Sequence, residues 1–264
     1  VCVNCEPTGE FAHNPEPLPS NLVELCEAVV ANGADFGISV DPDVDRLALI
    51  CENGQPFGEE YTLVSVADYL LSRIYNEALE TGKSIEEIAA PYQMVTSSNL
   101  SSSRALRDVT EQYGGEYCTA AVGEVNVTTT MREAGALIGG EGNGGVIYPA
   151  LHYGRDAMVG VALFLTNLAY KKMKVSELRA SYPEYVIAKN KIELSDSALN
   201  TKSVRGEVGC HGTLYFAKKL ISACPKSVCA NRCWGNISHS AKYAFCFFVK
   251  PTVSSIRRRY FCAR

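Results

Sequence analysis

Asp41, Asp43 and Asp45 alternate through the run Asp41-Pro42-Asp43-Val44-Asp45-Arg46, and Arg46 follows the last carboxylate directly. Carboxylates this close repel. A pair about 4 Å apart costs roughly 1 kcal/mol in water and about 4 kcal/mol at an effective dielectric near 20. A hard divalent cation, Mg²⁺ or Ca²⁺, removes that cost by taking oxygen ligands from the cluster. The loop therefore reads as a metal site. The arginine beside it points to an anionic substrate, a phosphate above all.

Two other readings compete. An EF-hand would use Asp41, Asp43, Asp45 and Glu52 as positions 1, 3, 5 and 12, but its sixth position must be glycine and Arg46 stands there. Its flanks should also be helical, whereas Phe36–Val40 and Leu47–Cys51 are short apolar runs rich in β-formers. An acidic surface turn explains one or two aspartates more easily than three in register with an arginine. A second motif, Gly139-Gly140-Glu141-Gly142-Asn143-Gly144-Gly145, follows a short strand. Its glycines allow close backbone approach to a ligand, and Glu141 and Asn143 could grip neighbouring sugar hydroxyls. Alone it is a weak signal, because it has neither the dinucleotide GxGxxG spacing nor a Walker lysine.

The elements that must position these loops follow from periodicity. The first twenty residues are proline-rich (Glu6-Pro7, Asn14-Pro15-Glu16-Pro17-Leu18-Pro19) and read as extended connector. Asn21 with Glu24 predicts a helix start, and Leu22, Leu25, Cys26, Val29 and Val30 give it one apolar face up to Gly33. Strands at 35–40 and 46–52 flank the acidic loop, and Asn53-Gly54 marks a tight turn. A helix over 62–80 closes near Gly82. Next come a strand near 93–95, a serine-rich loop Ser97–Ser103, and a helix through Leu106 and Val109. Then follow a strand near 117–119, a helix near 125–133, and strands at 136–138 and 146–148. A last clear helix carries Met158, Val161, Ala162, Leu165, Leu168 and Ala169 as its core face. Alternation of strand and helix from residue 21 to about 172 predicts an α/β fold of mixed, largely parallel sheets flanked by helices. A boundary is expected near residue 55, and residues 174–194 read as a linker into a third unit.

Hydrophobic content of 47% and charged content of 20% among 264 residues are globular values. No run reaches 18 uninterrupted apolar residues and the start lacks a signal-peptide pattern, so a soluble cytoplasmic protein with no membrane partner is expected. Composition breaks near residue 205. Before it, 15 Lys and Arg face 28 Asp and Glu, a balance of −13; after it, 10 face the single Glu207, a balance of +9. Six of the eleven cysteines also lie in that last stretch, and the odd count argues against a disulfide framework. Cys2-x-x-Cys5 and the group Cys224, Cys229 and Cys233 lack the paired spacing of a zinc ribbon. The terminal run Ile256-Arg257-Arg258-Arg259-Tyr260 admits nucleic-acid binding, but an irregular tail from a shifted reading frame is the preferred reading and no nucleic-acid partner is expected.

Together the two loops carry a resemblance. The Asp41–Arg46 run resembles the metal-binding loop of the α-D-phosphohexomutases, and Gly140–Gly145 resembles that family's sugar-specificity loop, roughly 95 residues further on. His13–Pro19, Thr119–Glu124 and His152–Ala157 agree, so the resemblance covers about residues 5 to 194. It implies four domains around a cleft: residues 1–55 as the end of domain 2, 56–172 as domain 3, 173–200 as linker and the start of domain 4, and 201–264 as the atypical tail. It also implies a phosphoserine enzyme interconverting hexose 1-phosphates and 6-phosphates through a bisphosphorylated sugar. Mg²⁺ would sit on Asp41, Asp43 and Asp45, with Arg46 steadying the phosphoserine or the transferring phosphate. Glu141, Gly142 and Asn143 would hold the sugar, and Gly123, Glu124 and Ser101 would line the cleft. Some relatives carry a histidine where Gly145 stands.

The departures imply a fragment. No serine nucleophile loop of the family's type occurs, since Ala12 precedes His13-Asn14-Pro15, and the domain 4 phosphate loop is missing too. The expected function is thus a piece of a Mg²⁺-dependent phosphohexomutase, inactive by itself, with a hexose phosphate as partner. The alternative is a non-catalytic module that binds metal or sugar phosphate. Neither the preferred hexose nor the oligomeric state is readable.

Overall fold

The computed structural model describes residues 1–191 and 244–249, with side chains for residues 1–185. The chain divides into two compact units after Tyr185.

The first unit begins with the connector and a 3₁₀ turn, Pro19–Asn21, leading into α1 (Val23–Ala31). Asn21 does not cap this helix; its side-chain amide donates to Glu16 O at 2.8 Å, bracing the proline-rich segment, and the cap position falls to Leu22. β1 (Phe36–Val40) and β2 (Leu47–Cys51) form an antiparallel pair whose connection is the acidic loop. Every residue of β2 is buried, because it is covered on both sides. Ala48 and Ile50 pack with Leu22 and Val29 of the α1 region, and Leu47, Leu49 and Cys51 join the main core. That double burial explains the unbroken apolar run Leu47–Cys51.

A 23-residue helix, α2 (Glu59–Thr81), follows and ends at Gly82, whose φ of +71° supplies the left-handed cap. A short α3 (Ile85–Ala89), capped by Ser84, leads to a four-stranded sheet. Its strands are β3 (Gln93–Asn99), β4 (Glu116–Ala120), β5 (Ala136–Gly140) and β6 (Val146–Ile147) in the order β4-β3-β5-β6. β3 runs parallel to both β4 and β5, and β6 returns antiparallel on β5. The crossovers are α4 (Ala105–Gln112) and α5 (Glu124–Ala134). α6 (Ala157–Lys171) packs on α2, and α7 (Val175–Ala180) completes the unit. A mixed α/β fold with a mostly parallel sheet flanked by helices is therefore present.

Three expectations need correction. The serine-rich stretch is strand for its first part: Ser97 and Ser98 lie in β3, fully buried, and the loop starts only after Asn99. Serine suits turns by local hydrogen bonding, but here the sheet ladder takes the backbone groups instead. Residues 174–183 are not a linker. α7 buries Val175 and Leu178, and Tyr182 stacks on Tyr61 with ring centroids 6.5 Å apart. Six residues are too few to show a helical period. The predicted face of α6 holds only in part: Val161 and Leu168 pack against the core, but Met158 and Leu165 are exposed, and the fully buried residues are Ala157, Gly160, Phe164 and Asn167. A helix apolar nearly all round gives periodicity little to choose from. Asn167 is acceptable inside because its amide donates to Ser65 O at 2.9 Å. Phe164 meets Phe57 edge-on at 5.2 Å, and Phe36 of β1 at 6.4 Å, tying α6 to the hairpin, and Leu47 and Leu49 of the hairpin share one core with Ile138 and Val146 of the larger sheet.

The second unit contains β7 (Val186–Lys191) paired antiparallel with β8 (Ala244–Val249). Part of the stretch expected to be an irregular tail is thus a strand. The remaining readings for residues 201–264, including Cys224, Cys229, Cys233 and the terminal arginines, lie outside the described residues.

Candidate functional site

The acidic loop is built by its own backbone. Asp41 is buried, and its Oδ1 accepts from the N–H groups of Asp45 at 3.0 Å and Arg46 at 2.9 Å. Val44 takes a φ of +58°, which turns the chain sharply, and its N–H donates to Asp41 O at 3.0 Å. A β-branched residue in that conformation is strained. The turn brings one oxygen from each of Asp41, Asp43 and Asp45 within 4.8 Å of the others, the sole such group of candidate ligands among the described residues. Oxygens around one Mg²⁺ stand roughly 3 to 4 Å apart, given bonds near 2.1 Å, and a little wider around Ca²⁺. The donor set thus fits a hard cation after a small contraction.

Electrostatics agree. Burial works against the Asp41 carboxylate, but the hydrogen bonds from the Arg46 and Asp45 backbone outweigh it and hold its pKa below the ordinary value. Burial, and next the facing Asp41 carboxyl, push Asp45 up to about 6, against the pull of the Arg155 guanidinium. Asp45 Oδ1 is buried and takes no hydrogen bond from the protein. Arg46 Nε stands 3.6 Å from it, too far for a hydrogen bond, so a metal ion is what would satisfy this oxygen. Arg46 lies beside the triad, with Nε 3.5 Å from Asp41 Oδ2 and Nη1 3.1 Å from Glu16 Oε1.

The glycine-rich loop leaves the carboxyl end of β5. Glu141 N–H donates to Gly145 O at 2.9 Å, closing it into a tight turn. Asn143 faces inward, its Oδ1 accepting from Gly145 N–H at 3.2 Å. Glu141 is buried; its Oε1 accepts from Asn99 at 2.6 Å and its Oε2 from Arg155 at 2.7 Å. Asn99 ends β3 and Glu141 follows β5. These neighbouring parallel strands stand where the chain passes from one side of β3 to the other, the crevice position for ligands in such sheets. A Cβ on Gly142 would come within 3.0 Å of Ser101 O, so glycine there lets the loop after β3 pack against the loop after β5.

Gly123 begins α5 with a φ of +115°, and Glu124 at its first turn reaches Arg155, accepting from its backbone N–H at 3.1 Å. The two loops touch directly: Leu47 N–H donates to Gly144 O at 3.1 Å, and Ala157 N–H to Val44 O at 3.0 Å. The structure therefore brings together Asp41, Asp43, Asp45, Arg46, Glu141, Gly142, Asn143 and Glu124. Ser101 stands at their edge.

Sequence reasoning missed Arg155, Asn99 and Glu16 as parts of the site. Arg155 pairs with Asp45, Glu124 and Glu141 at once. Its signal was available: Asp156 precedes a long apolar helix as a cap, so the residue before it is fixed at a helix start. Asn99 and Glu16 had none, because both act across long sequence separations.

The description "Phosphoglucomutase/phosphomannomutase, alpha/beta/alpha domain III" matches residues 67–185, and the corresponding domain II description matches residues 1–54. The chain belongs to the α-D-phosphohexomutase family. It is 32% identical over 197 residues to a Methanopyrus kandleri protein named "Probable phosphoglucosamine mutase", covering 74% of this chain and 40% of that one. It is 36% identical over 192 residues to a "Phosphoglucomutase/phosphomannomutase" of Thermococcus kodakarensis, covering 72% and 38%. A Burkholderia thailandensis structure of a phosphoglucomutase/phosphomannomutase family protein superposes with a TM-score of 0.55 at 25% identity, covering 68% of this chain and 36% of that one. The chain spans about two fifths of the length of the curated relatives it matches.

Proposed function

We propose that this chain is a piece of a Mg²⁺-dependent phosphohexomutase, contributing its metal loop and its sugar loop. Residues 1–55 would be the end of the second domain, 56–185 the third, and the chain from 186 onward the approach to the fourth. The observation that carries the reading is the buried Asp45 Oδ1, left without a donor in a triad that abuts the glycine-rich loop.

Asp41, Asp43 and Asp45 would hold the ion, which supplies positive charge beside a transferring phosphoryl group. Arg46, steadied by Glu16, would present its guanidinium to the phosphate. Glu141 has one partner on Oε1, so that oxygen can still accept from a sugar hydroxyl. Asn143 would supply a donor from Nδ2, held now at 3.5 Å from Glu141 Oε2. Gly142, Gly123 and Glu124 would shape the crevice floor. The substrate would be a hexose phosphate, interconverted between its 1- and 6-phosphate forms in the intact enzyme.

The test is twofold. Titration with Mg²⁺ or Mn²⁺ should show one binding event that Asp43→Asn weakens strongly. Glucose 1-phosphate, mannose 1-phosphate and glucosamine 1-phosphate should give no turnover with this chain alone. Failure of the chain to bind a divalent ion overturns the reading, and turnover by the isolated chain overturns its inactivity.

A further inference from the structure

Arg155 belongs to neither loop, yet both loops hold it. Its Nη2 meets Asp45 Oδ2, its Nη1 lies 2.7 Å from Glu141 Oε2, and its Nε lies 3.4 Å from Glu124 Oε2. The guanidinium is 13% exposed, Asp45 17% and Glu141 7%, so the group is poorly screened by water. The arginine stem reaches this place because residue 145 has no side chain. A Cβ on Gly145 would sit 2.5 Å from Arg155 Cδ. The backbone is fixed as well, since Arg155 N–H donates to Glu124 Oε1 and the next residue, Asp156, caps α6 by accepting from Met158 and Val159 N–H.

One guanidinium serves three carboxylates, and one of these, Asp45, belongs to the triad that a divalent ion would occupy. The ion would take Asp45 Oδ1 while Arg155 holds Oδ2, so the two are rivals for the charge of one carboxylate. The guanidinium is a rigid planar fork, so its two ends cannot be aimed separately.

We propose that Arg155 is a positioning residue that links the two loops, so that a cation entering the acidic loop re-aims Glu141 in the glycine-rich loop. This rests on the metal reading above. With Asp45 drawn to the cation through Oδ1, its hold on Nη2 through Oδ2 weakens and more of the guanidinium charge falls to Glu141 and Glu124. The sugar loop is thereby set only when the metal loop is filled. Gly145 is part of the same device, as the gap through which the stem passes.

Hydrogen exchange with and without Mg²⁺, paired with Mg²⁺ titration calorimetry, tests this on the full chain. The unmodified chain is compared with Arg155→Met and with Gly145→Ala, which shifts the stem without removing charge. In the unmodified chain Mg²⁺ should alter exchange both at residues 41–46 and at residues 140–145. In Arg155→Met the response should be confined to residues 41–46, and Mg²⁺ should bind roughly fivefold tighter or more, because a rival cation is gone. Gly145→Ala should also lose the response at 140–145. If that response survives in both variants, coupling runs through the Leu47–Gly144 backbone bond and the inference is overturned. Weaker Mg²⁺ binding by Arg155→Met overturns it too. Mg²⁺ binding by the unmodified chain with no response at 140–145 overturns this inference alone, whereas no binding at all removes the metal reading beneath it.

Discussion

The peptide N–H of Leu47 donates to the carbonyl oxygen of Gly144 across 3.1 Å, joining the strand that leaves the acidic loop to the last turn of the glycine-rich loop. Because the bond is between backbones, it holds the two loops together independently of their side chains. Gly144 adopts a φ of +88°, and a Cβ there would press into the Leu47 carbonyl.

Gly144→Ala should therefore cost about 2 kcal/mol or more, from left-handed strain plus the steric clash. Urea unfolding of the two chains would show it as a lower midpoint at unchanged slope. A midpoint equal to that of the unmodified chain would mean that the loops part freely at this bond.

Asp41 and Asp43 should separate structure from binding. Asp41 holds two backbone N–H groups, so Asp41→Ala should lose roughly 2 kcal/mol of stability and metal affinity together. Asp43 is exposed and should cost under about 0.5 kcal/mol when replaced by Asn. Its effect on Mg²⁺ binding should still reach roughly tenfold, by loss of one ligand charge. Thermal melts beside calorimetric titrations make the comparison, and equal stability losses would contradict it.

Glu52 gives the pH dependence. Burial raises its pKa, but the two hydrogen bonds from Ser176, one from Oγ and one from the backbone N–H at 3.1 Å, prevail and hold it below the ordinary value. A carboxyl lowered by folding stabilises fully above its unfolded pKa, near 4.3, and loses that contribution as pH falls through the folded value. Glu52→Gln should cost under about 1 kcal/mol at pH 7, since water reaches the pair. The gap between the two chains should shrink by pH 3, measured by urea unfolding at both pH values. A gap that stays constant would remove the link between β2 and α7 from the acid response.

Phe164 joins α6 to the hairpin by packing on Phe36 of β1 and on Phe57 just after β2. Phe164→Ala should cost about 3–5 kcal/mol. Proteolysis should then cut near residue 55, between the two apolar layers. Resistance equal to that of the unmodified chain would show that other core contacts suffice.

Strand, helix and glycine signals in the sequence located β1, β2, α2, α4, α5 and both loops, because each element is long or bounded by a residue with a strong backbone preference. α7 was not legible, since Val175 and Leu178 are its whole buried face. The inner face of α6 was not legible either: Asn167 and Gly160 point inward where apolar content alone favoured Met158 and Leu165. Gly160 is inward for space, as a Cβ there would lie 3.0 Å from Leu47 Cδ2. Within the site, local motifs named the aspartates and Glu141. The guanidinium that lies between them comes from a residue 110 positions beyond Asp45. Spacing arguments work within a few turns of chain, and that pairing exists only once α6 has docked.

The bond from Ala157 N–H to Val44 O places the first turn of α6 against the acidic loop. The aligned peptides of that helix present about half a positive elementary charge at this end. Val44, between two of the three aspartates, thus rests on a counter-charge carried by the main chain itself. No side-chain replacement deletes it, and no change of pH titrates it. The loop keeps that part of its electrostatic anchoring while Arg155, Arg46 or a metal ion comes and goes.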